Sequence, residues 1–178
     1  MEKLSRFNIP FLGLTLEEHH FEYLIDASFF NLMEGSLIED GKLKANVTLT
    51  KQSNMMTLDF DIKGDVYTTC DRCLEPITVP LKSTNRLLVK FGEVYDEPTD
   101  EIIVLPHDDH TMNIAQFLYE FIGLSLPVQC IHGEIEGNKQ TCDPQMVEKL
   151  KTLSAAGSSN ESDSDPRWDA LRKLIDNK

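Results

Sequence analysis

The chain has 178 residues, a length that suits one ordinary domain with a buried core and is short for two. It carries 30 acidic against 17 basic side chains, a formal charge of -13, which excludes a broad phosphate-tracking surface but leaves room for a local basic patch. No stretch approaches the roughly 20 apolar residues that cross a bilayer, and the opening MEKLSRFNIP lacks the apolar run of a secretory signal, so a cytoplasmic protein without membrane contact is expected.

The first half reads as strands. In FEYLIDASFF the apolar positions Phe21, Tyr23, Ile25, Ala27 and Phe29 recur with a period of two, with one lapse. KLKANVTLT alternates through Leu43, Ala45, Val47 and Leu49, and TLDFDIKG through Leu58, Phe60 and Ile62, with the polar KQSNM between them as a turn. After a pair of cysteines, Ile77, Val79, Leu81, Leu87, Val89 and Phe91 share one parity. Short polar connections of this kind favour an antiparallel meander over crossover units, which need a dozen or more connecting residues. Helices follow. MNIAQFLYEFIG places Ile114, Phe117, Leu118, Phe121 and Ile122 at helical spacing, with Asn113 and Gln116 as a capping box and Pro127 at or beyond its end. CDPQMVEKLKTL opens on Asp143 as cap and Pro144 in the first turn, with Val147, Leu150 and Leu153 on one stripe. SDPRWDALRKLI repeats that opening with Asp165 and Pro166, ahead of Trp168, Leu171, Leu174 and Ile175. The expected architecture is α+β: an antiparallel meander or partly open, barrel-like sheet, then a packing helix and two short C-terminal helices. Residues 1–153 form the domain, 154–164 a flexible acidic linker and 165–178 a C-terminal helix docked on the domain or on a partner.

Cys70-x-x-Cys73 is the most specific local feature, because two thiolates at that spacing can chelate one tetrahedral ion from a tight turn. Structural zinc usually takes four ligands, and the remaining cysteines, Cys130 and Cys142, stand eleven residues apart. A closed site of Cys70, Cys73, Cys130 and Cys142 is one reading, with His132 as an alternative ligand; buried free thiols are the other. A thioredoxin-like role needs a strand before and a helix after the pair, and here the pair joins two strands. The cluster His107 to His110 reads as solvated surface, and no nucleophile–base arrangement or phosphate loop is present, so no enzyme is expected. Arg72 sits at the tip of the cysteine turn, and Lys82, Arg86 and Lys90 share the outward parity of the long strand, with Lys42 and Lys44 outward on an earlier one. These are the candidate contacts for RNA or a partner, weighed against Glu22, Asp26, Asp59 and Asp61, which also point outward and can cancel the patch.

Three blocks, CDRCLEPITVPL (70–81), NIAQFLYEFIGLSLP (113–127) and DPRWDALRKL (165–174), together resemble the YceD family of bacterial and plastid proteins linked to accumulation of large-subunit ribosomal RNA. The likeness runs along most of the chain and rests on Cys70, Arg72, Cys73, Leu74, Cys142, Asp165, Pro166, Arg167, Trp168 and Leu171. It implies a non-enzymatic factor in synthesis, processing or stability of that RNA, which binds ribosomal RNA, a basic large-subunit ribosomal protein or both. It also makes Cys70 and Cys73 a metal or structural half-site, with one structural zinc as the candidate cofactor. Some members carry a denser second cysteine cluster, whereas this chain offers only Cys130 and Cys142 with His132 nearby. Arg167 and Trp168 are contact candidates in the terminal helix. The alternative function is a structural zinc-binding interaction module unrelated to ribosomal RNA.

Overall fold

The computed structural model describes residues 2–135 and 140–153. A 3-10 turn, Glu2–Phe7, leads into β1 (Asn8–Ile9), β2 (Glu18–Ile25) and a single-turn helix α1 (Ala27–Phe30). Three long strands follow: β3 (Asp40–Lys51), β4 (Met55–Thr69) and β5 (Pro76–Gly92). Then come β6 (Asp96–Thr99), β7 (Ile102–Pro106), β8 (Met112–Asn113), α2 (Ala115–Ser125) and α3 (Pro144–Leu153). Residues Met1–Cys142 make one compact unit and Asp143–Lys178 another. The linker expected at 154–164 and the terminal helix at 165–178, including Arg167 and Trp168, lie outside the described residues. Among the described residues no helix is long and apolar enough to cross a membrane.

The first unit is built on an open six-stranded sheet in the order β2-β3-β4-β5-β7-β6, and β1 pairs separately with β8. This is the expected α+β layout. Strands β2 to β5 form the meander, held in register by residue pairs such as Val47↔Phe60 and Leu58↔Leu87. The alternation read from the sequence is the burial pattern itself. Leu43, Ala45, Val47 and Leu49 of β3, Leu58, Phe60 and Ile62 of β4, and Ile77, Val79, Leu81, Leu87 and Val89 of β5 are all buried. Their polar neighbours stand on the open face. Gly64 of β4 takes a φ of +149°, and a Cβ there would sit 2.2 Å from the Lys42 carbonyl oxygen, so only glycine lets β3 come this close.

Three local expectations are corrected. The strand over FEYLIDASFF stops at Ile25, because Asp26 caps α1 through its Oδ1, which accepts from the Phe29 N–H. That one helical turn buries both Phe29 and Phe30, where alternation would bury only one. The capping box at α2 is not formed: Asn113 Oδ1 accepts from the Ala115 N–H at 3.0 Å, but Gln116 donates forward to Glu120. Finally, the sheet is not wholly antiparallel, since β7 runs parallel to β5, from Leu88↔Ile102 to Gly92↔Pro106. The nine intervening residues are too few for a helical crossover. The chain instead doubles back as the polar edge strand β6 and returns between it and β5.

One face of the sheet is covered and the other is open. Phe7 of the N-terminal turn packs edge-to-face on Phe29, with ring centroids 5.0 Å apart, and lies against Tyr23 at 5.5 Å. Helix α2 buries Ala115, Leu118, Phe121 and Ile122, and Phe121 meets Phe60 edge-to-face. In the second unit α3 begins as expected, with the Asp143 carboxylate accepting from the Gln145 and Met146 N–H groups.

Candidate metal centre

Between β4 and β5 the chain turns tightly over Cys70 to Glu75. The Leu74 N–H donates to the Cys70 carbonyl at 2.9 Å and the Cys70 N–H to the Glu75 carbonyl at 2.8 Å. Closing this loop puts Leu74 in the left-handed region at φ +63°, a conformation that costs a side chain about 1–2 kcal/mol. The loop after α2 is clamped onto the turn by Asp71, whose N–H donates to the Cys130 carbonyl at 2.9 Å. In return, the Cys130 N–H donates to the Asp71 carboxylate at 2.6 Å. Arg72 adds an ion pair to Glu134 at 2.7 Å, so the presumed free tip of the turn is tied to the same loop.

This clamp decides which side chains converge. One ligand atom each from Cys70, Cys73, His132 and Cys142 lies within 4.8 Å of the others. Cys70, Cys73 and His132 are buried, and Cys142 is half-buried. Cys130 is not in the group; its backbone is bonded to Asp71, and the imidazole two residues later joins the cluster instead. The structure therefore gathers three of the four cysteines and the residue expected only as an alternative ligand. None of the four cysteines is in a disulfide.

The geometry suits zinc. A zinc–sulfur bond of about 2.3 Å puts two sulfurs of a tetrahedron about 3.8 Å apart, and Cys70 Sγ and Cys142 Sγ are 3.8 Å apart. Cys73 Sγ lies 3.3 Å from His132 Nδ1. The other ring nitrogen, Nε2, is 3.2 Å from the Pro76 carbonyl, which can only accept, so Nε2 carries the proton and Nδ1 presents its lone pair. This outer hydrogen bond is the usual means by which a metal-binding histidine is oriented. Of the shifted groups, Cys70 alone moves toward its metal-binding, deprotonated form. Burial alone would raise the Cys70 thiol, but the N–H groups of Cys73, His132 and Arg72 directed at it outweigh burial and bring its pKa down to about 6. Burial pushes the Cys142 thiol up, and the neighbouring Cys70 and Cys73 sulfurs push it further. Burial disfavours a charged His132, yet its bonds to Cys73 and Pro76 prevail and hold its pKa above the ordinary value. Burial, the Asp71 carboxylate and Cys70 raise the thiol of Cys130.

A cluster of three thiols and one imidazole is consistent with the four-ligand donor set of structural zinc sites. Held by Cys70, Cys73, His132 and Cys142, a zinc ion would crosslink the β4–β5 turn, the loop after α2 and Cys142.

The basic candidates of the sheet lie on its open face. Register sets Lys44, Lys63 and Lys82 directly opposite one another across β3, β4 and β5, a row that includes Lys63, not foreseen from the sequence as a contact residue. Acidic neighbours temper it. Lys44 pairs with Glu22 at 2.7 Å, Lys63 with Asp61, and Arg86 with Asp59 at 2.6 Å. Lys82 and Lys90 are exposed and make no ion pair among the described residues.

No solved structure matches the chain. It is 29% identical over 124 residues to a Bacillus subtilis (strain 168) protein named "Uncharacterized protein YlbN", a match covering 70% of this chain and 69% of that protein. The family described as "Large ribosomal RNA subunit accumulation protein YceD" matches residues 58–175, which take in the cysteine turn, β5, α2 and all four clustered ligands. With well over half of its length matched, this chain belongs to the YceD family.

Proposed function

We propose that this protein is a cytoplasmic, non-enzymatic factor that supports synthesis, processing or stability of large-subunit ribosomal RNA. In this reading it binds the RNA, a basic large-subunit ribosomal protein, or both. The observation that carries it is the family match over residues 58–175, whose description names accumulation of that RNA. The closed Cys70–Cys73–His132–Cys142 set supports the non-enzymatic part, since a zinc held by four side chains braces a fold and has no open position for chemistry. The ion pairs on the open sheet face and the formal charge of -13 favour a basic protein as the first contact.

The test is a pull-down with tagged full-length chain from native extract, with and without ribonuclease. RNA as the direct ligand predicts capture of ribosomal material that ribonuclease abolishes. A protein contact predicts capture of large-subunit ribosomal proteins that survives ribonuclease. Capture of neither, together with unchanged large-subunit RNA after depletion of the protein, refutes the proposal. The same depletion separates it from the second reading, a zinc-braced interaction module outside ribosome assembly, which the ligand cluster alone would also support.

A further inference from the structure

Away from the cysteines, the end of α2 and the β6–β7 edge form a groove of about 630 Å³. Its floor is apolar, with Ile103 of β7 and Phe117 and Phe121 of α2. At its lips stand Leu37, 91% exposed, and Leu124, 82% exposed. Phe117, Phe121 and Leu124 follow one another at helical spacing on one stripe of α2, which passes from Phe121, buried on Phe60, and half-buried Phe117 to Leu124 in water. A helix with an apolar stripe ending in water has more hydrophobic surface than its own fold covers.

The charged groups around this groove are all of one sign. Its lining includes Glu97, Asp100 and Glu120 and no Lys or Arg. The adjoining stretch from 93 to 101, EVYDEPTDE, adds Glu93, Asp96 and Glu101 and again no basic residue. None of these six carboxylates forms an ion pair among the described residues. Tyr95 lies beside them, donating its hydroxyl hydrogen to Glu97. Four acids elsewhere, Glu22, Asp59, Asp61 and Glu134, each have a basic partner. Here the acids surround exposed hydrophobic side chains and have none.

We propose that this groove is the docking site of a basic amphipathic polypeptide segment, which lays an apolar ridge between Leu37 and Leu124 and sets Lys or Arg side chains against Glu97, Asp100 and Glu120. RNA is the wrong occupant, since its phosphates would face three carboxylates. A second copy would bring another strongly acidic chain to an acidic rim. A small molecule could fill the floor but would leave both lip leucines in water. The docking site stands on the groove alone and holds or fails independently of any role in ribosomal RNA.

The experiment uses the full-length protein and a fluorescein-labelled synthetic helix of leucine and lysine in an amphipathic pattern, kept below its self-association range. A second peptide has glutamate in place of lysine. Anisotropy should show saturable binding of the lysine peptide at one site and none of the glutamate peptide. Leu124→Asp, and the pair Glu97→Lys with Glu120→Lys, should each weaken binding by about tenfold or more. All three positions are exposed, so the melting curve of each variant should match that of the parent. Unchanged affinity in Leu124→Asp, or equal binding of the two peptides, overturns the proposal. So does a sedimenting dimer that Leu124→Asp dissolves, which would make a second copy the occupant.

Discussion

The sharpest prediction concerns Cys130 and His132, two residues apart and on opposite sides of the ligand set. Cys130→Ser should keep one zinc per chain, whereas His132→Ala should lose it. Structural zinc contributes about 10–16 kcal/mol of apparent binding free energy in small domains. Shared over four ligands, that is roughly 3–4 kcal/mol for each, or two to three decades of affinity for the histidine. Cys130→Ser leaves intact the two contacts its segment makes with Asp71, because both use the backbone of residue 130. Zinc is measured by mass spectrometry after desalting against a competing chelator, with thermal melts in parallel. Free zinc at a hundredfold excess over its dissociation constant stabilises by about 2.7 kcal/mol, which for a unit of this size raises Tm on the order of 10 °C. The parent and Cys130→Ser should show that shift, and His132→Ala should not. The opposite result, with metal lost from Cys130→Ser and kept by His132→Ala, refutes the assignment, as does a parent protein that melts alike with and without chelator.

Three further outcomes follow from backbone and burial. Gly64→Ala would place its Cβ 2.2 Å from the Lys42 carbonyl oxygen and 2.6 Å from the Leu43 Cα, so urea denaturation should show a loss on the order of 3 kcal/mol; an unchanged midpoint contradicts the close approach of β3 and β4. Leu74→Gly relieves the left-handed strain of the cysteine turn and should gain roughly 0.5–1 kcal/mol, because glycine's greater freedom in the unfolded chain offsets part of the relief; a loss of stability would mean that the exposed Leu74 side chain is needed there. Burial pushes the Tyr23 hydroxyl up to about 12, and burial, Glu97 and Glu120 do the same for Tyr95. These raised groups favour the neutral form in the fold, so their stabilisation is complete below about pH 10 and lost as pH rises through about 12. Absorbance of tyrosinate should show a late component that Tyr23→Phe and Tyr95→Phe each reduce, and its absence would refute the shifts.

The meander was legible because each of its strands buries one parity. Leu43 to Leu49 and Ile77 to Val89 announce the core face without knowledge of their neighbours. The parallel pair was not, since β6 reads Asp-Glu-Pro-Thr with every residue exposed and has no apolar period. The break at Asp26 was hidden because Phe29 fits strand parity as well as a helical turn. At the metal centre, the Cys70–Cys73 half was readable from local spacing alone. The other half depends on how the loop after α2 lands on the turn, which the Asp71–Cys130 contacts decide across 59 residues of chain. The one available signal was the imidazole of His132 at the same loop.

Placing β7 between β5 and β6 gives the sheet's far edge a dependence that the meander lacks. Among the described residues edge strand β6 has only β7 as a ladder partner, so it cannot join the sheet until β7 has found β5. That parallel pair has no tight turn to start from, since its partners run from Leu88↔Ile102 to Gly92↔Pro106, whereas β3–β4 starts at Lys51↔Met56 and β4–β5 at Thr69↔Pro76. Pairings without a local start form more slowly. A newly made chain can therefore hold β3 to β5 together while this edge is still unassembled. A foreign strand adding to β5 in place of β7 would part Asp96–Thr99 from the sheet and dismantle the acidic groove.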